Sequence, residues 1–561
     1  MLFWLVIFLH ISLKAFLVDQ RFYFSDLGYI VDLLISDLML MSIICILLII
    51  STKSTLIINV ICRKISYIIL LLFTLDVVLL LFFNTRLYVS DISKFYNQLG
   101  VISDDLLYKM LLILFVYALL MAFCFTYRVN LEYRKRHVFI ISLIFVSTSL
   151  LSSVNNVDNS SFSGSISVRD SYFKNFIYVN VNSTHKKKYT KDFIDGFDYV
   201  PVEICEKSEV IKPKNIIIFL VESWSNYHSL EFGDENDWTN GLDELAKQNI
   251  KFNNFFANGF TTESGLYSLF TGYPLLPYGK ETNLSGGIGL VSMNNEGSLI
   301  RDITDMGYNS YFITSGNTDF LNKREWLYQI GFEHIIDNSF FPIENRNYPF
   351  SSVPDKELFE KAEEFIRDSR DKFIVVENVT THAPFLYPGE NDEPVMFESG
   401  AFEYTDHYLS KLIRFANQDD NLIFVLSDHR AMTEVTMNEI NRSELLATSH
   451  VPGFAIWNGL SLSIKNKVQH TDILKSVVHG LRGEICYGEY FGALIPFNNQ
   501  ISSKCIIHAR GDDRRLVTMK CDDTLSSFNV LLDGDHTRLI DSDYDNKAIN
   551  IINYLRIKQN E

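Results

Sequence analysis

Two apolar runs in this sequence stop at side chains that bind metal ions. NIIIFLV (215–221) is followed by Glu222, and FVLS (424–427) by Asp428 and His429. Two carboxylates and an imidazole make a mixed oxygen and nitrogen donor set, suited to Mn²⁺, Mg²⁺ or Zn²⁺. A third stretch, NGFTTESGLYSLFTGYP (258–274), has polar residues that lead into a helix-like run. Thr261 or Thr262 would then sit at a helix N-terminus, where free amides and the dipole favour an alkoxide or a phosphate oxygen. A threonine hydroxyl is a poor nucleophile unless a base or a metal lowers its pKa. In a fourth stretch, ENVTTHAPF (377–385), His382 stands in a loop where it could donate to a phosphate oxygen or a leaving group. Each stretch alone also has a plain structural reading: a carboxylate or threonine N-cap, or a surface histidine. Together they point to metal-assisted chemistry on a phosphoryl group.

These side chains need a scaffold that brings strand ends together. Apolar runs of strand length recur at 215–221, 308–314, 372–379, 421–427 and 452–457. Helix-like stretches separate them, at 243–249, 298–307, 356–369 and 402–416. Continuous apolar strands alternating with helices predict a mixed, mainly parallel sheet between helices, with sites beyond the carboxyl ends of its strands. This α/β domain is expected over 214–485. From about 486 the pattern turns to alternating strands (RRLVTMK, SFNVLLD), predicting a small antiparallel subdomain and a last helix near 545–557 within 486–561.

The first 154 residues differ. Five segments, roughly 1–18, 29–51, 65–84, 108–127 and 137–153, are apolar enough to be read as membrane spans of about 20 residues each. The first lacks a basic leader and a cleavage site, so it is read as a retained helix. Lys53, Arg63 and Lys64, and then Arg128, Arg134, Lys135 and Arg136, place the second and fourth loops in the cytoplasm. The chain after about 154 is then expected outside, joined through an Asn/Ser-rich linker at 155–213. Asp32, Asp37 and Asp76 fall inside predicted spans, where a protonated or hydrogen-bonded carboxyl at a helix contact is the plainer reading. The formal charge of −17, from 50 basic and 67 acidic residues, argues against a nucleic-acid partner. Of seven cysteines, Cys205, Cys486, Cys505 and Cys521 fall in the exported part and allow up to two disulfides in three full pairings.

In combination, the Glu after the first strand, a Thr before a helix ending in TG, TTHAPF and a late SDH resemble the alkaline phosphatase superfamily. The spans followed by an exported domain look like its lipoteichoic acid synthase and phosphoglycerol transferase branch, whose domain is often called a sulfatase. GSLIRDITDMGYNSYFITSGN (297–317), YTDHYLSKLI (404–413) and HTDILKSVVHGL (470–481) add to the likeness. The resemblance implies one divalent ion, Mn²⁺ or Mg²⁺ with Zn²⁺ as the alternative, held by Glu222, Thr262, Asp428 and His429. It selects Thr262 as nucleophile, nine residues before Thr271, with Thr261 as the alternative. It also implies substrate contacts from His382, Asn317, and Lys323 or Arg324. The pattern departs at 321 and 323, where Leu321 and Lys323 replace the branch's Trp and Arg.

The implied activity is transfer of a phosphoglycerol headgroup from phosphatidylglycerol to an extracytoplasmic glycan or lipopolysaccharide, through a phospho-threonine intermediate and without nucleotide. The setting would be a bacterial inner membrane with the catalytic domain in the periplasm. A phosphoethanolamine transferase is the neighbouring alternative, in which His450 of TSHVPGF could be an extra zinc ligand. A true sulfatase would need a Cys or Ser in a CxPSR-like motif, which TESGL (262–266) does not supply. A membrane-anchored binding protein is the non-enzymatic alternative.

Overall fold

The computed structural model describes residues 189–559, with short interruptions at 277–289, 292–296, 368–369, 390–391, 418–419, 434, 511–515, 534 and 541–545, and scattered positions between 42 and 115. The chain divides into two compact units, Met1–Gly100 with Asp104–His185, and Val101–Ser103 with Lys186–Glu561. In the first, residues 57–62, expected in a loop, are helical. Their run IINVIC contains no Gly or Pro to break a helix. The five expected spans lie almost wholly outside the described residues, as do Asp32, Asp37 and Asp76. Among the described residues no helix is long and apolar enough to cross a membrane.

The second unit is built on a nine-stranded sheet. Its strands, with the others of the unit, are numbered in chain order: β1 (Glu203–Lys207), β2 (Asn215–Val221), β3 (Ile250–Phe256), β4 (Asn309–Thr314), β5 (His334–Ile336), β6 (Lys372–Glu377), β7 (Leu386–Pro388), β8 (Pro394–Met396), β9 (Leu422–Ser427), β10 (His450–Val451), β11 (Gly453–Ile456), β12 (Leu462–Gln469), β13 (Glu484–Gly488), β14 (Cys505–Ala509), β15 (Leu516–Cys521), β16 (Phe528–Asp533) and β17 (His536–Ile540). The sheet order is β10-β3-β11-β9-β2-β6-β4-β5, with β12 beside β3. The five strands β9, β2, β6, β4 and β5 are mutually parallel.

Strand β2 is buried along its whole length. Ile216, Ile218 and Leu220 face one apolar layer, and Ile217, Phe219 and Val221 the other. This is the period of two of a strand covered on both sides. The principal helices are α1 (Asn240–Gln248), α2 (Thr262–Thr271), α3 (Leu299–Asp305), α4 (Lys323–Gln329), α5 (Asp355–Ile366), α6 (Glu398–Ala416), α7 (His470–Arg482) and α8 (Asn546–Lys558). Helices α2, α3, α4 and α7 pack on the first face, and α1, α5 and α6 on the second. Helix α5 inserts Leu358, Phe359, Ala362 and Ile366, each large side chain contributing about 1.5–3 kcal/mol by leaving water.

Three features differ from the sequence reading. The run at 452–457 is β11, antiparallel to both β9 and β3; an apolar run reports burial, not direction. Strands β3 and β12 went unrecognised because polar residues interrupt them (IKFNNFF, LSIKNKVQ). The stretch expected as linker contributes β1, which pairs antiparallel with β13 through Cys205 opposite Cys486. The last part forms the antiparallel sheet β14-β15-β16-β17, with α8 packing Ala548, Ile551, Ile552 and Leu555 into its core. Disulfides join Cys205 to Cys486 and Cys505 to Cys521.

Candidate active site

Strands β2 and β9 are adjacent and parallel, and Val221 lies level with Ser427. The next residue on each, Glu222 and Asp428, therefore emerges at the same sheet edge. Neighbouring strands lie about 4.8 Å apart, which fits two ligands of one ion. A carboxylate oxygen from each and a ring nitrogen of His429 lie within 4.8 Å of one another, all buried. His429 Nε2 is 3.3 Å from Glu222 Oε1 and 3.5 Å from Asp428 Oδ2.

Helix α2 brings the threonine. Thr262 Oγ1 donates to Glu222 Oε2 at 3.0 Å and lies 3.4 Å from His429 Nε2. Thr261 does something else: it is the N-cap, accepting from the Ser264 amide at 3.3 Å. The helix approaches Asp428 so closely that a Cβ on Gly265 would lie 2.2 Å from the Asp428 carbonyl oxygen. Only glycine allows this contact, and the contact sets the depth at which Thr262 is presented.

Several side chains that the sequence reading passed over hold the cluster. Ser223 adopts φ 58, a left-handed conformation that costs a non-glycine residue energy. Its amide donates to Asp428 Oδ1 at 2.9 Å and its hydroxyl to Glu222 Oε1 at 2.8 Å. The backbone of Glu222 is gripped from both sides. Its amide donates to Asn378 Oδ1 at 2.7 Å, and its carbonyl accepts from Thr381 Oγ1 at 2.7 Å. Asn378 Nδ2 in turn donates to Asp355 Oδ2 at 2.8 Å, and Asp355 also takes the Thr380 amide and the Thr405 hydroxyl. The polar run after β6 (ENVTT) was the available signal. Asn378→Ala should weaken divalent-ion affinity about 10- to 100-fold, as loss of an outer partner of a ligand does. Isothermal titration of the ion into wild type and variant checks this; equal affinities would show that the grip does not matter.

His429 is oriented from behind. Its Nδ1 lies 2.8 Å from the Arg430 carbonyl, so that nitrogen carries hydrogen and Nε2 faces the carboxylates. The buried Arg430 is itself fixed by Glu439, at 3.0 Å and 2.7 Å.

The electrostatics are those of a cluster short of positive charge. Burial pushes the Asp428 carboxyl well above its usual range, and the adjacent Glu222 adds to the effect. Burial also acts against the charge on Glu222, but the attraction of His429 outweighs it and Glu222 stays ionised. Burial pushes the His429 imidazole down, yet Asp428 and Glu222 together pull it up to about 10. Asp428 Oδ2 is buried and makes no hydrogen bond. An unpaired buried carboxylate oxygen aimed among another carboxylate, an imidazole and a hydroxyl fits a divalent cation.

The other expected residues are placed differently. Lys323 Nζ donates to Glu377 Oε1 at 2.6 Å and lies 5.1 Å from the Phe312 ring centroid. Glu377 ends β6 on the sheet edge that carries Glu222. Burial holds its carboxyl above the usual range. Arg324 is bound to Asp319 at 2.8 Å and to Asp337. The Asn317 side-chain oxygen accepts from the Asp319 amide at 2.9 Å. His382 sets its ring edge-on to Phe350 at 4.8 Å, with Nδ1 2.5 Å from the Ala383 carbonyl. It is close enough for its charge to favour ionised Glu222. His450 has both ring nitrogens engaged, Nδ1 with Ser443 at 2.7 Å and Nε2 with the Asn253 carbonyl at 3.1 Å, and it is not grouped with Glu222, Asp428 and His429.

Residues 214–481 match the sulfatase family and form a sulfatase domain. Among solved structures, the chain is similar to a protein in the alkaline phosphatase superfamily from Vibrio parahaemolyticus (18% identity, 68% of this chain and 92% of that one, TM-score 0.47). It is also similar to the lipoteichoic acid synthase LtaP from Listeria monocytogenes (19%, 66% and 95%, TM-score 0.46). A third is the Streptococcus pyogenes phosphoglycerol transferase GacH in complex with sn-glycerol-1-phosphate (12%, 53% and 79%, TM-score 0.37).

Proposed function

We propose that this chain, with its sulfatase domain of the alkaline phosphatase superfamily, is a phospholipid headgroup transferase that moves phosphoglycerol from phosphatidylglycerol to a hydroxyl of an extracytoplasmic glycan or lipopolysaccharide. The observation that carries the reading is Thr262: its hydroxyl donates to Glu222 and faces His429, beside the unpaired Asp428 Oδ2. A divalent ion held by Glu222, Asp428, His429 and Thr262, Mn²⁺ or Mg²⁺ for this oxygen-rich set with Zn²⁺ as the alternative, would acidify the hydroxyl and offset charge on the phosphoryl oxygens.

The residues of the chain account for the rest. Glu222 accepts the hydrogen bond that orients Thr262 Oγ1. The hydroxyl gives up its proton as its oxygen attacks phosphorus, the bond to the diacylglycerol oxygen breaks, and diacylglycerol leaves with a proton. His382, in the loop after β6, is suited to give that proton or to hold a phosphoryl oxygen. The N-terminal amides of α2 favour the extra negative charge. An acceptor hydroxyl then attacks the phosphothreonine, loses its proton, and Thr262 leaves as it regains one. Lys323 beside Glu377 offers positive charge at the same edge for the donor. An exported domain tethered by membrane spans would meet its lipid donor without any nucleotide.

The headgroup is tested directly. The purified full chain is incubated in detergent with Mn²⁺ and either glycerol-labelled phosphatidylglycerol or ethanolamine-labelled phosphatidylethanolamine, then digested. Phosphoglycerol on the Thr262 peptide is expected. Phosphoethanolamine there would move the protein to the neighbouring transferase class, and no adduct from either lipid would end the reading.

A further inference from the structure

We propose that Cys205 and Cys486 are one state of a redox-dependent zinc site, which His479 and Glu203 complete when the disulfide is reduced. The two cysteines face each other across the β1–β13 pair and are joined in the structure. Helix α7 ends with Gly483 at φ 73, and the chain turns straight into β13, which sets His479 of the last helical turn over Cys486. A Glu203 oxygen, a His479 ring nitrogen and Cys486 Sγ all lie within 4.8 Å of one another. Glu484 Oε2 lies 3.5 Å from His479 Nδ1, so a second carboxylate can hold the ring as an outer partner.

The donor set differs in kind from that at Glu222. Two thiolates, an imidazole and a carboxylate are a tetrahedral zinc set, and thiolates select against Mn²⁺ and Mg²⁺. Burial is the main cause holding His479 below its ordinary value, so the ring is available as a neutral ligand. Lys475 lies one turn earlier on α7, near enough for its charge to act on His479 and Glu203. Cys205 and Glu203 are exposed, which gives a reductant and an ion a way in. The site is apart from the catalytic cluster: His479 is nine residues along α7 from His470, roughly 13 Å of helix, and it is His470 that touches the Ser427 carbonyl.

A dithiol reductant gives two electrons and two protons to the Cys205–Cys486 bond and becomes a disulfide. Zinc then displaces the two thiol protons. In the oxidised state a covalent bond ties β1 to β13, and in the reduced state the ion does so, so the strand that leads into the catalytic unit stays in place in either redox condition.

Zinc uptake by the purified full chain tests this, measured with a chelating indicator before and after phosphine reduction. Reduced wild type should bind about one more zinc than oxidised protein, and zinc should restore the melting temperature lost on reduction. Cys205→Ser/Cys486→Ser should show no extra uptake, which discounts the other cysteines. Reduced His479→Ala should bind at least about tenfold more weakly, while its oxidised form melts with oxidised wild type. Equal uptake by reduced wild type and the double serine variant overturns the proposal. So does undiminished affinity in His479→Ala.

Discussion

Thr262→Ala abolishes the covalent adduct and lowers turnover on the order of 10⁴-fold or more, as loss of a nucleophile does, while the protein stays folded and still takes up the ion. Thr262 is the first residue of α2 and only partly buried. Alanine is the best helix former there, and Thr261 still caps the helix. The three other ligands of the cluster are untouched. Thr261→Ala has the opposite profile. It loses the cap hydrogen bond to Ser264, about 1 kcal/mol of stability, and keeps the adduct. Mass spectrometry of both variants after incubation with phosphatidylglycerol decides between them. An adduct that persists in Thr262→Ala and vanishes in Thr261→Ala would assign the chemistry to Thr261 and overturn the assignment to Thr262.

Asp428→Asn removes ion binding and, with it, turnover, yet leaves the ion-free protein at least as stable as wild type. The sign follows from burial. Asp428 is fully enclosed beside Glu222, and burial and that neighbour outweigh the attraction of His429, so a charge there is costly without the ion. Asparagine removes that charge at almost unchanged volume. With an ion at about 100 times its dissociation constant, wild type gains about 2.7 kcal/mol and the variant gains nothing. The two melting curves therefore cross as Mn²⁺ is added. Glu222→Ala and His429→Ala lose turnover in the same way. An unchanged ion-dependent shift in Asp428→Asn would refute the cluster as a metal site. The ion must also displace the proton that burial opposes and the two carboxylates hold on His429, so affinity rises with pH. In chelated wild type the sign is reversed. The folded imidazole is raised from 6.5 to about 10, so its stabilisation is complete below about pH 6.5 and is lost as pH climbs toward about 10.

Much of the scaffold was legible because it depends on local pattern. Run length and two-sided apolarity marked β2, β4, β6 and β9 to within a residue or two, the turn to alternating residues marked β15 and β16, and the last helix, expected near 545–557, is α8. The types of the chemical residues were legible as well, because Glu222, Asp428 and His429 each end an apolar run abruptly. Residue type does not say which run lies beside which. That Glu222 and Asp428 meet rests on β2 and β9 being parallel neighbours in register, 206 positions apart, and sheet order leaves no mark on a period of two. The same holds for the direction of β11 and the pairing of Cys205 with Cys486.

The finer geometry was decided in three dimensions alone. Thr261 and Thr262 are alike as a dipeptide; the cap geometry turns one toward Ser264 and the other toward Glu222. Arg324 and Lys323 are both cationic side chains, but Asp319 and Asp337 claim the first and Glu377 the second. Gly265 and Ser223 carried no chemical signal, since a small or neutral residue shows its use only by what it lets approach or holds still; Asn378 and Thr381 showed only as a polar run after an apolar strand. The sequence by itself determined which side chains were available and on what kind of element. The tertiary structure decided which atoms share a few ångströms, because that distance is set by packing between segments whose separation along the chain has no bearing on their separation in space.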